Sequence, residues 1–340
     1  MKSIYDLTIE EMEEYFINIG SKKFHAKQLF SWLYEKRVKK YSDITDIKKD
    51  VLVKLENDYS IEELKIVDVQ EDVDVCKYLF QLEDHEHIEA VLMKHNYGNS
   101  LCISSQVGCN MGCKFCESGR RKKVRNLEVH EMVLQIIMIE KLLSERISHV
   151  VVMGIGEPFD NYHNLIKFFK IINHPKGLAI GARHITVSTC GIVPKILEFA
   201  SFPLQINLAI SLHAPNDEIR NKIMPINKAY PIKEIISALK IYSSKTNRRV
   251  TFEYIMLKDI NDSAGCAMEL SKLVKGLNCY INLIPYNETN NIDFKRTNTV
   301  QIMRFYDILK KNSVNVTIRK EFGSKISAAC GQLRSKKEEL

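Results

Sequence analysis

The chain has 340 residues, room for about two domains at ~100–200 residues each, and 45% of them are hydrophobic, enough for a large core. Lys plus Arg (49) exceed Asp plus Glu (42), a formal charge of +7, so a polyanionic partner is permitted but not required. No uncharged apolar run of about 18 residues is present, so no membrane-spanning helix is expected. The opening MKSIYDLTIEEMEEYF has early acidic residues and no apolar h-region, so no secretory signal is expected either.

Residues 1–95 read as a small accessory domain. Helical periodicity runs through Leu7–Ile17 and Ala26–Lys36, the second stretch carrying the sole tryptophan, Trp32, and a buried stripe of Leu29, Phe30 and Leu33. A third helix is expected over Ile47–Leu55, and strands within Leu64–Leu92. From about Ser100 the pattern changes. Strands are expected at Leu101–Ser105, His149–Met153, His184–Ser188, Gln205–Ser211, Arg249–Leu257 and Tyr280–Ile284. Helices are expected at His130–Leu143, His163–Ile171, Ile192–Ala200, Pro231–Ser243, Ser263–Leu273 and Thr299–Lys310. Apolar strands alternating with helices imply parallel pairing. Six such units over 96–312 predict an α/β fold, a partial (β/α)6 barrel, with ligands at the strand C-termini. A last strand, Asn315–Ile318, opens a tail over 313–340.

Nine cysteines, an odd number without a secretion signal, point to reduced thiols in the cytoplasm. Cys76, Cys190, Cys266 and Cys279 read as core filler. Cys109, Cys113 and Cys116 share one loop, GCNMGCKFCESG, with spacing C-x3-C-x2-C. Three thiolates this close can hold a [4Fe-4S] cluster and leave one iron without a protein ligand, open to a small chelating molecule. The densest basic run, RRKKVR from Arg120 to Arg125, follows at once. It is a solvated face, or it meets phosphate.

Polar groups recur where barrel strands should end. GIGEP offers close backbone approach at Gly156 and a carboxylate, Glu157, for an ammonium group. Ser188 and Thr189, then Ser211 and His213, then Asn287 close later strands. Each alone could cap a turn; together they suit one elongated polar ligand. Cys102, on the first strand, and Cys330, in AACGQL, are either a core residue and a tail thiol or a redox and nucleophilic pair.

The strings SSQVGCNMGCKFC, MGIGEPFDNY, GARHITVST, NLAISLHAP, TFEYIMLKDIND, LIPYN and VTIRKEFGSKISAACGQL resemble the radical S-adenosylmethionine (SAM) superfamily. Within it they resemble the RlmN/Cfr family of RNA adenine methyltransferases, over nearly the whole chain. The resemblance implies Cys109, Cys113 and Cys116 as ligands of a [4Fe-4S] cluster, and Gly156, Glu157, Ser188, Ser211, Leu212, His213 and Asn287 as contacts of SAM. It implies Cys330 as methyl carrier, Cys102 as its resolving partner and Glu89 as proton acceptor; on pattern alone Glu89 is only a strand-face carboxylate. The implied partners are 23S rRNA and tRNA, with an external electron donor such as a flavodoxin or ferredoxin. Two SAM would be consumed per methylation: one methylates Cys330, the other yields the radical that takes hydrogen from that methyl. The carbon then adds to adenine C2 (adenine 2503 of the rRNA, adenine 37 of the tRNA), and a transient Cys102–Cys330 disulfide releases the product. A monomer is expected, because the tail must swing over its own barrel. The chain departs from the family pattern at Glu117-Ser118-Gly119, in the basic run and at Cys190. The alternatives are another radical SAM activity, the C8-methylating branch, and a zinc or iron–sulfur RNA-binding module.

Overall fold

The structure, a computed structural model, describes residues 1–289, 292–319 and 332–333. Three helices come first: α1 (Ile9–Asn18), α2 (His25–Tyr34) and α3 (Lys49–Asp58), flanked by a short parallel pair, β1 (Lys2–Ser3) and β2 (Tyr59–Ser60). α1 starts where it does because Thr8 Oγ1 accepts from Glu11 N while the Glu11 carboxylate accepts from Thr8 N, a reciprocal cap. Met12, Phe16, Leu29, Phe30, Leu33 and Leu55 are fully buried between these helices and the rest of the molecule. Burying each such side chain stabilises by roughly 1.5–3 kcal/mol.

Strands β3 (Lys65–Asp72), β4 (Val75–Gln81) and β5 (His87–His95) form an antiparallel meander that runs on into β6 (Gly98–Ile103). A small antiparallel pair follows, β7 (Gln106–Val107) with β8 (Arg125–Asn126), and then α4 (Val129–Leu143). The chain continues through β9 (Ile147–Val152), α5 (Tyr162–Asn173), β10 (Ile185–Thr189), α6 (Val193–Phe199), β11 (Asn207–Ser211), α7 (Asp217–Ile223) and α8 (Ile232–Thr246). It ends with β12 (Val250–Met256), α9 (Ala264–Leu273), β13 (Cys279–Pro285), α10 (Thr299–Lys311) and β14 (Val316–Ile318).

One ten-stranded sheet carries the order β14-β13-β12-β11-β10-β9-β6-β5-β4-β3. From β6 to β14 every pairing is parallel and each strand neighbours the next in sequence, the arrangement of the expected partial barrel. The expected strands and helices fall close to the observed ones. Two features differ. Residues 65–95 are not set apart: β3–β5 extend the barrel sheet, and their meander covers what would be an open edge at β6. α7 is the other difference; its signal is Asn216, whose side chain accepts from Ile219 N and caps a helix of only seven residues.

Side chains alternate across a sheet, and directly paired residues point to the same face. The register therefore puts Lys77 and Leu79 of β4, Glu89 and Val91 of β5, Cys102 of β6 and Val151 of β9 on one face. The same face continues through Ser188, Ser211, Glu253, Asn282 and Thr317. It is the concave inside of the barrel.

Candidate active site

A cleft opens at the C-terminal ends of the parallel strands. It encloses about 910 Å³, its open mouth included, within the ~300–1,000 Å³ typical of small-molecule sites. Eight of the expected residues line it: Cys109, Cys113, Cys116, Gly156, Glu157, Ser188, Ser211 and His213. Leu212 and Asn287 are not brought there. Leu212 is fully buried in the main core, and Asn287 lies half-buried just past β13.

The cysteine loop is held by its own return. Cys109 N donates to Arg121 O, Lys123 N to Asn110 Oδ1 and Val124 N to Val107 O. A Cβ on Gly108 would stand 2.3 Å from Lys122 O, and one on Gly119 would stand 2.9 Å from Cys113 O, so the loop packs at glycine distance. The basic run is the other side of this staple. Arg121 meets Glu86 at 2.6 Å and Lys123 meets Asp160 at 2.6 Å. Arg125 forks onto Glu131 (2.7 and 2.8 Å) and also reaches Asp84 at 2.6 Å. Arg120 lies 3.9 Å from Glu117. Arg120, Arg121, Lys123 and Arg125 are thus paired with carboxylates within the protein. Arg37, which follows α2, is likewise paired with Glu140.

The donor set fits an iron–sulfur cluster. Burial pushes the Cys109 thiol up to about 12; burial, then the neighbouring Cys116 and Cys109, raise Cys113 well above its ordinary range. Such thiols become thiolates only against a strong positive centre, which soft thiolate-binding iron supplies. No three Cys, His, Asp or Glu side chains among the described residues are grouped to hold a single metal ion.

Glu157 is buried; its Oε1 accepts from Phe159 N (3.0 Å) and its Oε2 from Cys190 N (2.7 Å). Burial raises its proton affinity, although these backbone donors and Thr189 oppose it. Gly156 has φ +110°, and a Cβ there would stand 2.6 Å from Gln106 Cβ. Only glycine lets the GIGEP turn lie this close to β7. His213 is also in the left-handed region, at φ +58°. Its Nδ1 accepts from Ile255 N at 3.1 Å, so the ring proton belongs on Nε2. Burial, then Arg220, push this imidazole down to about 3, and it is a neutral donor. Ser188 Oγ and Ser211 Oγ sit 3.3 Å apart.

Sequence reading missed two parts of the site. Arg220, fully buried on α7, donates to Cys190 O (2.5 Å), Ser211 O (3.2 Å) and Leu212 O (3.1 Å), tying together the ends of β10 and β11. Nothing local marks it, because its partners are backbone carbonyls remote in sequence. Glu253 lines the cleft and accepts from Asn282 Nδ2 at 2.8 Å. Period-two alternation in TFEYIM would have put it on the inner face.

Cys102 and Glu89 lie further along the same sheet face. Cys102 is buried against Val91, Met93, Ile155 and Leu333. Ser118 Oγ donates to Leu333 O at 2.8 Å, and Gln332 Nε2 to Glu288 O at 3.2 Å. Glu89 is 3% exposed and faces Lys77 Nζ, itself 8% exposed, across 3.3 Å. Cys330 lies outside the described residues.

Three clustered thiols and a SAM-sized polar rim inside a partial barrel define a radical SAM enzyme. A family model described as the radical SAM superfamily matches residues 103–266, and one described as the ribosomal RNA large subunit methyltransferase N-terminal domain matches residues 2–61. Relatives from Acholeplasma laidlawii and Spiroplasma citri, each named a probable dual-specificity RNA methyltransferase RlmN, are both 52% identical. Those matches cover 98% and 99% of this chain and 98% and 99% of the relatives. The crystal structure of a radical SAM methyltransferase from Sphaerobacter thermophilus matches with a TM-score of 0.93 at 40% identity, covering 99% of this chain and 100% of that one. The chain belongs to the RlmN family of radical SAM methyltransferases.

Proposed function

We propose that this protein methylates C2 of adenine in RNA, at adenine 2503 of 23S rRNA and adenine 37 of tRNA, in the cytoplasm. The observation that carries the reading is the shared sheet face: Ser188 and Ser211 of the rim, in one cleft with the three-thiol loop, at one part, Cys102 and Glu89 at another, and Leu333 in the same buried cluster as Cys102. Only two residues, Gly331 and Gln332, separate Cys330 from Leu333, three chain steps that reach at most about 11 Å.

Cys109, Cys113 and Cys116 would hold the cluster, and the rim led by Glu157, Ser188, Ser211 and His213 would orient SAM, with Leu212 and Asn287 nearby. When bound and reduced, that pair supplies a radical able to take hydrogen from a methyl group. The Cys330 thiolate first accepts a methyl from the SAM sulfonium, the polar substitution for which a thiolate is suited. After the methyl carbon has bonded to C2, Glu89 takes the C2 proton. The adduct gives up one electron, equivalent to the one spent in making the radical; the Cys102 thiolate then attacks the Cys330 sulfur, forming a disulfide as the sulfur–carbon bond breaks, and the released carbon takes up a proton to become the methyl group. Two SAM are consumed, an external electron donor such as a flavodoxin or ferredoxin is required, and an external reductant returns the disulfide to thiols. C2 lies between two ring nitrogens and is electron-poor, so direct attack on a sulfonium methyl is disfavoured. The target base must leave its stack to reach the cleft.

The helical N-terminal part is the candidate RNA-contacting unit, the barrel over 96–312, whose sheet β3–β5 extend, carries the cleft, the tail over 313–340 carries Cys330, and a monomer suffices for the scheme. Lys22, Lys27 and Lys40, exposed on the helical end, are the candidate phosphate contacts of the accessory unit. The test is mass spectrometry of rRNA and tRNA nucleosides after reaction of the anaerobically rebuilt enzyme, against 2-methyl- and 8-methyladenosine. Product at C8, or undiminished product from Cys330→Ala, would sink the proposal.

A further inference from the structure

The barrel has another opening, at the ends where its parallel strands begin. Arg183, Arg248 and Arg249 line it with Gln205, Asn207 and Asn278; the rest of its wall is threonine and asparagine, and among the described residues no Asp or Glu contributes. The partners of these arginines are neutral. Arg183 Nη2 lies 3.3 Å from Gln205 Oε1, Arg248 Nη2 lies 2.8 Å from Asn207 Oδ1, and Arg249 lies over the Tyr280 ring at 4.9 Å. Several other arginines of the chain meet carboxylates, as Arg121 and Arg125 do, and the buried Arg220 is held by backbone carbonyls. Arg248 Nη1 is buried without a hydrogen-bond acceptor among the described residues. Burial, together with the Arg183 cation, lowers the affinity of Arg248 for its proton, against the influence of Tyr242. Three guanidiniums crowded without an acid are complementary to phosphate, which they can clasp in two-pronged fashion.

The same rim carries a row of rings. His184 stacks on His149 (4.3 Å between centroids, 14° between planes), Tyr97 stands edge-on to His149 at 5.1 Å, and His95 stacks on Tyr97 at 4.6 Å. Tyr97 is 66% exposed. In the sheet order these groups belong to the neighbouring strand ends of β12, β11, β10, β9, β6 and β5. Five interstrand steps make a rim about 24 Å long. Cations at one end and stackable rings at the other are the parts of a single-strand nucleic-acid track, in which stacking tolerates any base.

We propose that this rim is a second RNA-binding surface, which takes phosphodiesters of an unpaired segment on Arg183, Arg248 and Arg249 and a base against Tyr97. The inference rests on the reading that the substrate is RNA. The rim lies at the opposite strand ends from the catalytic cleft, so the segment it holds is not the target nucleotide. It grips a remote part of an extended RNA, and a minimal target stem-loop does not reach it.

The test compares binding of an extended rRNA fragment and of a minimal target stem-loop by wild type and by the Arg183→Glu/Arg249→Glu double variant. Both side chains are exposed, so the variant should melt as the wild type does. The expected result is about tenfold weaker binding of the extended RNA. The slope of log affinity against log salt should fall by about 1.4, or ~0.7 for each single-strand phosphate no longer neutralised. Stem-loop binding should be unchanged, and Arg183→Lys/Arg249→Lys should restore most of the affinity for the extended RNA. Equal affinity and slope in the Glu variant overturn the proposal. So does titration with inorganic phosphate that detects a site absent from the variant while RNA affinity stays the same, which assigns the pocket to a free anion. Wild type that methylates RNA beside an indistinguishable variant overturns this inference alone; wild type that neither binds nor methylates RNA overturns the functional reading as well.

Discussion

Lys77 and Glu89 form a buried ion pair 3.3 Å long on the sheet face that also carries Cys102. A carboxylate that must accept a proton has to be ionised, and burial alone would protonate it. An ammonium 3.3 Å away favours the ionised form that the proposed role of Glu89 requires. In Lys77→Met the acid limb of the pH–rate profile for RNA methylation should move to higher pH, while Lys77→Arg should keep it near its original place. An unmoved acid limb in the Met variant would detach Lys77 from the proton-accepting role. Breaking a buried pair costs about 3–5 kcal/mol, so a lower melting temperature should accompany the shift. Cys102 lends itself to a sharper experiment. If its thiolate cleaves the Cys330–RNA adduct, Cys102→Ala should accumulate protein covalently joined to RNA, visible as a slowly migrating band on a denaturing gel. Its absence during normal turnover would remove the resolving step.

At the scale of elements, close approach and docking dominate. The end of β9 meets the end of β6 at Gly154, where a Cβ would stand 2.6 Å from Ile103 O. Gly154→Ala should therefore cost about 1–3 kcal/mol, the usual overpacking penalty, and weaken SAM binding by tilting GIGEP. Denaturant titration and SAM binding measured together would check this. The helical N-terminal unit is pinned to α4 by His130, whose Nδ1 lies 2.9 Å from Asp6 and whose Nε2 lies 3.1 Å from Glu62. Burial opposes the charge, but Asp6, Glu62 and Glu131 together raise the proton affinity of His130 above its ordinary 6.5. A raised folded value means that the stabilisation is complete below the unfolded value and disappears as pH climbs through the folded one. Protection factors in α1–α3, with the intrinsic pH dependence of exchange divided out, should fall across that window, and His130→Leu should abolish that fall.

For the whole molecule, SAM and the cluster should stiffen one end of the barrel only. In rebuilt protein, SAM at a hundredfold excess over its Kd should add ~2.7 kcal/mol of apparent stability. Exchange protection should grow at the strand C-termini, around Glu157, Ser188 and His213, and not at Arg183 or Arg249. Uniform protection would mean that the ligand acts through global stability, not through the cleft.

Local patterns carried much of this protein. The C-x3-C-x2-C spacing, the apolar strands alternating with amphipathic helices, and the polar residues at strand ends were all legible, because each depends on neighbours within one turn or one strand. Tertiary structure decided what depends on partners remote in the chain. It joined β3–β5 to the barrel because an edge needs covering, and it engaged the cations of the 120–125 run on Glu86, Asp84, Glu131 and Asp160. It placed Arg220 as the tie between two strand ends, and it set Glu89 opposite Lys77, where pattern alone saw only a strand-face carboxylate. Charge pairing and carbonyl capture act through space and leave no periodic trace along the sequence.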